Sequence, residues 1–292
     1  MAIQQASGPS TSIARAPRST IRDGRGRADL WLGYQGPANR PFGASTAAAA
    51  GRVVARHAVH TSAADFSLML VAPEWMSRRA ISEAIADAVA ELRAIDVTYS
   101  PLRRNSLVSL LRRGEVSAEA YPPLADIVAR CDAMRAATDG WFDAWAVPGG
   151  FDPGGLLKGW AVDRAAARLR AAGIEDYAVV SEADLTVRGH APHGGPWRVA
   201  VHHPREPRRI AMVLEMTEGA VGASGLTGHR GHVVDPHVAE IVRHEGAAVV
   251  TGPDLAVADA YATALFAAGP AGLGWFPTVD GYRMLIAECR PT

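Results

Sequence analysis

The chain has 292 residues, of which 48% are hydrophobic and 21% are charged, as expected for one large globular domain or two small ones. Its 30 Lys and Arg residues balance its 30 Asp and Glu residues, so no net charge favours a nucleic acid or a membrane surface as partner. No window approaches the ~18 apolar residues of a membrane span, so we expect no transmembrane segment. Cys131 and Cys289 form no C-x-x-C pair, which argues against a thiolate zinc site, while a disulfide joining the two stays open.

Residues 1–56 differ in composition from the rest of the chain. They contain eight Arg and two Asp among many Ser, Pro, Gly and Ala residues, which is typical of a disordered tail. They also lack the short apolar segment of a secretory signal peptide. We therefore predict a disordered tail at 1–56, a folded domain at 57–292 and a cytoplasmic location.

Hydrophobic periodicity and turn residues predict the elements of the folded part. Helices dominate its first half and strands its second half, so the expected class is α+β rather than a doubly wound sheet. In chain order the elements are a strand at Asp65–Val71, helices at Glu74–Ile95, Leu107–Leu111 and Pro122–Thr138, a helix that stops at Gly173, strands at Tyr177–Val180, Leu185–Val187, Trp197–His202 and Ile210–Met216, a small-residue turn region at Gly219–Gly228, strands at His232–Pro236 and Ala247–Thr251, a helix at Pro253–Ala268 and a strand at Tyr282–Glu288.

The stretch DPGGLLKGWAVD, residues 152–163, contains the only lysine of the chain, Lys158. We predict a Gly-rich loop at 152–159 that delivers Lys158 to the start of a helix. Loop amides, a helix N-terminus and a cation together form a site for anions, although a chance lysine on a solvated turn is the alternative. The stretch is not a P-loop, because Gly159 stands where that motif needs Ser or Thr, and it is not a G-x-G-x-x-G fingerprint.

Asp259 and Thr263 lie four residues apart on one face of the predicted helix Pro253–Ala268. A carboxylate and a hydroxyl so placed are oxygen ligands suited to Mg²⁺, with carbonyls, waters or phosphates completing the shell. The alternative is an exposed Asp and an ordinary helical Thr.

Three histidines, His229, His232 and His237, flank Asp235. They fit a transition-metal cluster, a single proton-transferring His, or a polar hairpin with incidental histidines. H-x-x-H spacing in a short strand puts the two side chains on opposite faces, which disfavours zinc. The aromatic residues Tyr99 and Trp141–Trp145 fit either a stack on a planar ligand or the core.

The order of these segments resembles the ApbE family, the FAD:protein FMN transferases. The resemblance runs from about residue 57 to the C-terminus. Its motifs are Tyr99–Leu110 for Y-R-P-D-S-x-L-S-x-L, Gly140–Asp143 for G-x-F-D, Asp152–Asp163 for D-L-G-G-I-A-K-G-Y-A-V-D, Ala223–Gly225 for S-G, His232–Pro236 for H-I-x-D-P and Ala258–Thr263 for A-D-A-x-A-T.

This resemblance implies an α+β, T-fold-like architecture of mixed sheets and flanking helices, with FAD in a cleft between them. It implies Mg²⁺-dependent transfer of FMN from FAD, the substrate, to a Thr or Ser hydroxyl of a partner flavoprotein, with release of AMP. The implied metal ligands are Asp259, Thr263 and the Gly155 carbonyl, and the implied catalytic residues are His232, as proton acceptor, and Lys158. The implied flavin-nucleotide contacts are Val59, Thr61, Tyr99, Trp141, Phe142, Asp143, Asp152, Lys158, Asp163, Asp184 and Val233.

Two segments depart from the family pattern. Val180-Ser-Glu-Ala-Asp184 stands for N-A-G-G-D, so Glu182 and Ala183 replace glycines that let a backbone approach a ligand closely. Val59-His-Thr61 stands for M-G-T. Hydrolysis of FAD to FMN and AMP and flavin binding without catalysis therefore remain as alternative functions.

Overall fold

The computed structural model describes residues 19–22, 30–32, 45–49, 51–203, 206, 209–225, 233–243, 245–276 and 280–290. Within these residues the chain forms three layers: a layer of helices, a large sheet and a smaller sheet. Helices and predominantly antiparallel sheets confirm the predicted α+β class. No helix in the described ranges is long and apolar enough to cross a membrane.

The large sheet has eight strands, and every neighbouring pair in it is antiparallel. The strands between Ser45 and Arg188 are neighbours in the sheet in their chain order, although a long helical segment separates the strand that ends at Pro73 from the one that begins at Tyr177. In spatial order the strands are β14 (Arg283–Arg290), β13 (Glu245–Gly252), β10 (Glu218–Ser224), β7 (Asp184–Arg188), β6 (Tyr177–Ser181), β5 (Asp65–Pro73), β4 (Arg52–His60) and β3 (Ser45–Ala49).

The smaller sheet has four strands and covers one face of the large one. It contains a single parallel pair, β2 with β8, and its other pairs are antiparallel. Its spatial order is β1 (Ser19–Arg22), β9 (Ile210–Met216), β8 (Trp197–His202) and β2 (Leu30–Leu32), and a separate two-stranded hairpin joins β11 (Val234–Asp235) to β12 (Glu240–Ile241).

Helices cover the other face of the large sheet. Side-chain caps start several of them: Ser77 accepts from the Ala80 amide and Ser106 from the Ser109 amide. The helices are α1 (Arg78–Tyr99), α2 (Leu107–Arg112), α3 (Pro122–Ala137), α4 (Gly154–Ala171) and α5 (Leu255–Ala268), with short 3₁₀ helices at Ala118–Ala120 and Gly269–Gly274.

Two apolar cores hold the layers together. The first lies between the helices and the large sheet and includes Leu92, Leu124, Leu169 and Leu265. The second lies between the two sheets and centres on the fully buried Trp197. Burial of these side chains supplies the main driving force for the arrangement.

Three predictions from the sequence need correction. The predicted tail extends too far, because β1, β2 and β3 lie within residues 1–56 and β4 begins at Arg52. These strands are held by backbone pairing, which Ala- and Ser-rich composition does not reveal. Most of the strand β10 lies within the predicted turn region Gly219–Gly228. The predicted loop 152–159 is already helical from Gly154 onwards.

Candidate active site

Three elements bring charged side chains together around Lys158. Lys158 lies in the second turn of α4, Asp184 is the first residue of β7, and Asp259 lies near the middle of α5. The Lys158 Nζ atom is 2.6 Å from Asp184 Oδ2, and the Asp184 side chain is completely buried. The other carboxylate oxygen of Asp184 accepts a hydrogen bond from the Ala223 amide of β10 at 2.9 Å.

Asp259 is the second buried carboxyl group of this site. It is 2% exposed, and its Oδ2 atom has no hydrogen-bond partner in the described part of the chain. Burial raises the pKa of Asp259 well above its ordinary value, and repulsion from Asp184 adds to the rise. A buried carboxyl oxygen without a partner is costly, and a bound cation is one way to satisfy it.

The neighbouring charges and burial shift the pKa values of Lys158 and Asp184. Burial by itself lowers the pKa of Lys158, but the carboxylates of Asp184, Asp259 and Glu182 outweigh it and raise that pKa. Burial also raises the pKa of Asp184, although Lys158 opposes the rise. The lysine therefore stays charged, and it is outnumbered by neighbouring carboxyl groups.

Thr263 on α5 and Gly155 at the start of α4 lie next to each other. A Cβ atom added to Gly155 would be 2.9 Å from Thr263 Oγ1, so the glycine is needed for this close approach of the two helices. Thr263 Oγ1 is also 3.2 Å from Ser224 Oγ at the end of β10. Thr263 and Gly155 thus meet where α4 contacts α5, and Asp259 lies one turn before Thr263 on α5.

The residues present fit a divalent cation of the Mg²⁺ type. Asp259 offers a carboxylate with an unpartnered oxygen, and Thr263 offers a hydroxyl beside the backbone of Gly155. These are hard oxygen donors, which Mg²⁺ prefers. Among the described side chains, no three of the His, Cys, Asp and Glu type are arranged as a metal cluster.

Glu182 lies at the mouth of this cluster on the turn between β6 and β7. Its Oε2 atom is 3.7 Å from Lys158 Nζ, and 36% of its side chain is exposed. Its φ of 53° is in the left-handed region, which favours glycine. Glu182, which replaces a glycine of the family pattern, thus directs its carboxylate at Lys158.

The predicted contacts at 141–152 lie on the segment that precedes α4. Asp152 accepts from the Gly154 amide at 2.9 Å and pairs with Arg112 Nη2 at 2.8 Å. Asp143 pairs with Arg135 at 2.9 Å and accepts from the Trp145 amide. Phe142 is buried, and a Cβ atom added to Gly155 would be 3.2 Å from Phe142 Cε2.

Val233 precedes β11 of the two-stranded hairpin, and Trp141 packs against that hairpin. Trp141 makes an edge contact with His237 at a centroid distance of 4.4 Å, and the Val233 carbonyl accepts from the Val242 amide. His237 is therefore packed on an aromatic ring. His229 and His232, including the predicted proton acceptor, lie outside the described residues.

Four predicted contacts have structural partners away from Lys158. Tyr99 is buried and packs edge-on against Trp160, and Val59 is buried in β4. Thr61 bonds both backbone groups of Ala64 within its own turn. Asp163 accepts from the Leu255 and Ala256 amides and so caps the start of α5.

Sequence reasoning missed Arg112 and Ser224. Arg112 Nε donates to the Phe151 carbonyl at 2.7 Å while its Nη2 holds Asp152, so it fixes the chain entering α4. Nothing in the sequence pairs residues forty positions apart. Ser224 lies within the Ala223–Gly225 motif, but the motif alone does not indicate a role for its hydroxyl group.

Comparison with known proteins also points to the ApbE family. Residues 148–285 match the sequence model of the ApbE family. The FAD:protein FMN transferase of Vibrio cholerae is 29% identical over 124 residues, which are 39% of this chain and 37% of that protein. The corresponding Escherichia coli protein is 32% identical over 123 residues, which are 39% of this chain and 35% of that protein. The matches thus span little more than a third of these curated relatives.

The likeness in three dimensions extends further. The solved structure of the flavin transferase ApbE from Vibrio cholerae aligns with a TM-score of 0.65 at 17% identity, and covers 80% of this chain and 97% of that chain. The α+β arrangement described above is thus the fold of the solved ApbE flavin transferases. Residues 148–285, which include Lys158, Asp184 and Asp259, are thus similar to the ApbE family, in agreement with the resemblance seen in the sequence.

Proposed function

We propose that this protein is a Mg²⁺-dependent flavin transferase. It takes FAD as substrate, transfers FMN to a Thr or Ser hydroxyl of a partner flavoprotein and releases AMP. The observation that carries the proposal is the convergence of Lys158, Asp259, Thr263 and Gly155 at the contact of α4 with α5. The relatives named FAD:protein FMN transferase support the choice of reaction.

Asp259, Thr263 and the Gly155 carbonyl would hold the metal ion. The unpartnered Oδ2 atom of Asp259 supports this assignment. Mg²⁺ bound there supplies neutralisation of phosphate charge and orientation of the leaving group. Without a cation, the pKa of Asp259 is raised. A bound cation would stabilise the ionised carboxylate in place of a proton.

Lys158 would bind the phosphates of FAD. Its ammonium is kept charged by Asp184 and is fixed in place by the 2.6 Å contact. In the reaction the acceptor hydroxyl oxygen bonds to the FMN phosphorus, the bond from that phosphorus to the bridging oxygen breaks, and AMP leaves. Lys158 stabilises the negative charge that develops on the phosphate oxygens, and His232 accepts the hydroxyl proton.

A second candidate is a protein that binds flavin without turning it over. The observation that favours it is Glu182, whose carboxylate lies against Lys158 where the family pattern has glycine. Hydrolysis of FAD is a third outcome, in which water replaces the acceptor hydroxyl.

The test is an incubation of the protein with FAD, Mg²⁺ and a candidate acceptor flavoprotein, followed by in-gel flavin fluorescence of the denatured acceptor. Covalent fluorescence that disappears when the acceptor's Thr or Ser is changed to Ala supports transfer. AMP and free FMN in the absence of acceptor would indicate hydrolysis. FAD binding without AMP under any condition would indicate the non-catalytic alternative and contradict the proposal.

A further inference from the structure

Glu182 occupies a position that the local backbone disfavours for its residue type. Ser181 and Asp184 pair directly, so Glu182 and Ala183 form a two-residue hairpin loop. Glu182 is the first residue of that loop and has φ = 53°, a conformation for which such loops use glycine, asparagine or aspartate. The turn itself therefore gains nothing from a glutamate here.

The glutamate side chain is instead directed at the site. Its Oε2 atom is 3.7 Å from Lys158 Nζ, on the same ammonium that Asp184 contacts at 2.6 Å. The side chain of Asp184 is completely buried and Asp259 is 2% exposed, whereas 36% of the Glu182 side chain is exposed. Of these three carboxylates, Glu182 is thus the one with room to move away when a ligand arrives.

The charges around Lys158 do not suit a bare diphosphate. One ammonium already faces the carboxyl groups of Asp184 at 2.6 Å and Glu182 at 3.7 Å, with Asp259 as a third acidic neighbour. A pyrophosphate group adds negative charge and needs the same lysine. Ligand and Glu182 therefore compete for one cation, and a divalent ion entering with the ligand offsets the repulsion.

We propose that Glu182 is a specificity-determining residue that occupies Lys158 in the free protein and admits FAD only together with a divalent cation. The proposal rests on the proposed function, because it takes FAD as the ligand. Glu182 makes metal-free FAD a poor ligand and strengthens the coupling between FAD and the metal ion, which are binding events linked in both directions.

The test is FAD binding, measured by quenching of flavin fluorescence in EDTA and in Mg²⁺, for the unchanged protein, Glu182→Gln and Glu182→Asn. Gln keeps the size of the side chain without its charge, and Asn is also neutral and tolerates the left-handed backbone. In EDTA we expect both variants to bind FAD about five-fold or more tightly than the unchanged protein, with a change of less than about two-fold in Mg²⁺. Thermal unfolding checks that each variant is folded.

Several results would overturn the proposal. Equal affinities in EDTA for the unchanged protein and both neutral variants would show that the carboxylate does not compete. Weaker FAD binding by Glu182→Gln in Mg²⁺ would make Glu182 a metal ligand instead. Tighter binding in EDTA by Glu182→Asn but not by Glu182→Gln would assign the effect to the backbone conformation rather than to charge.

Failure of the proposed function looks different. If neither the unchanged protein nor any variant binds FAD in either buffer, the proposed substrate is wrong and the role of Glu182 falls with it. If the unchanged protein binds FAD with Mg²⁺ and releases AMP while the Glu182 variants behave identically, the function stands and only the role of Glu182 fails.

Discussion

At the scale of single residues, the site depends on one lysine held among carboxyl groups. The sequence singles out Lys158 because it is the only lysine of the chain. It could not indicate that Asp184, twenty-six positions later and on another element, holds the lysine at 2.6 Å. Nor could it show that Asp259 is buried with an unpartnered oxygen, since an Asp at helical spacing is more often exposed.

Replacing Lys158 tests this pairing. Lys158→Gln leaves the fully buried Asp184 without its cation, so we expect the free energy of unfolding to fall by about 3 kcal/mol. Asp184→Asn in the same chain removes the unpaired charge and should recover part of that loss. Chemical denaturation of the two single variants and the double variant gives the coupling energy. Strictly additive effects would contradict a direct ion pair.

Replacing Asp259 tests the metal assignment without reference to turnover. Asp259→Asn removes a carboxyl group whose pKa is raised well above its ordinary value by burial, so the variant should be at least as stable as the unchanged protein without metal. Mg²⁺ should raise the melting temperature of the unchanged protein and leave that of the variant unaltered. An equal increase for both proteins would place the metal elsewhere.

At the scale of elements, glycines permit the contacts that assemble the site. A Cβ atom on Gly159 would be 2.6 Å from the Leu255 carbonyl oxygen, and one on Gly222 would be 2.5 Å from the Asp259 amide nitrogen. The backbone of helix α5 is therefore in direct contact with the glycines of both α4 and β10. The same glycine explains why β10 was predicted as a turn: Gly222 is required for packing although it disfavours a strand. The helix at α5, by contrast, could be predicted from its apolar residues and its start and stop signals.

Gly159→Ala should therefore weaken the contact between α4 and α5. The neighbouring atoms are backbone and cannot move aside, so we expect a loss of about 1–3 kcal/mol of unfolding free energy. The matched control is Gly274→Ala, where nothing lies within 4 Å, and the change there should stay below about 0.5 kcal/mol. Urea denaturation compares the two, and equal effects would contradict the close packing.

Asp163 gives the same contact a dependence on pH. Burial, reinforced by Asp254, raises the pKa of Asp163 to about 7. The folded state then holds a proton that the unfolded state releases near pH 4, so this group's contribution to stability is full below pH 4 and is lost as pH rises to about 7.

Asp163→Asn should remove this dependence and keep the cap, because both amide donors bond to one oxygen of Asp163. Relative to the variant, the unchanged protein should lose on the order of 4 kcal/mol between pH 4 and pH 8. Unfolding by urea at the two pH values provides the measurement. A difference between the proteins that does not vary with pH would show that Asp163 is ionised throughout.

At the scale of the whole molecule, the layers bring together residues that the chain keeps far apart. The sequence predicts the α+β class because helices and strands separate along the chain. It could not predict the second sheet from β1 and β2, whose pairing is through backbone groups within a segment of tail-like composition. The site is assembled only when α4 and α5 pack on the sheet that contains β7, so its geometry belongs to the fold rather than to any motif.

The most direct test of the flavin-transferase proposal is chromatography of FAD incubated with the protein, Mg²⁺ and an acceptor flavoprotein. We expect AMP to appear together with covalently flavinylated acceptor, and both products to be lost in Asp259→Asn and in EDTA. Omitting the acceptor shows whether water can take its place. No AMP under any of these conditions, from folded protein that binds FAD, would contradict the proposal.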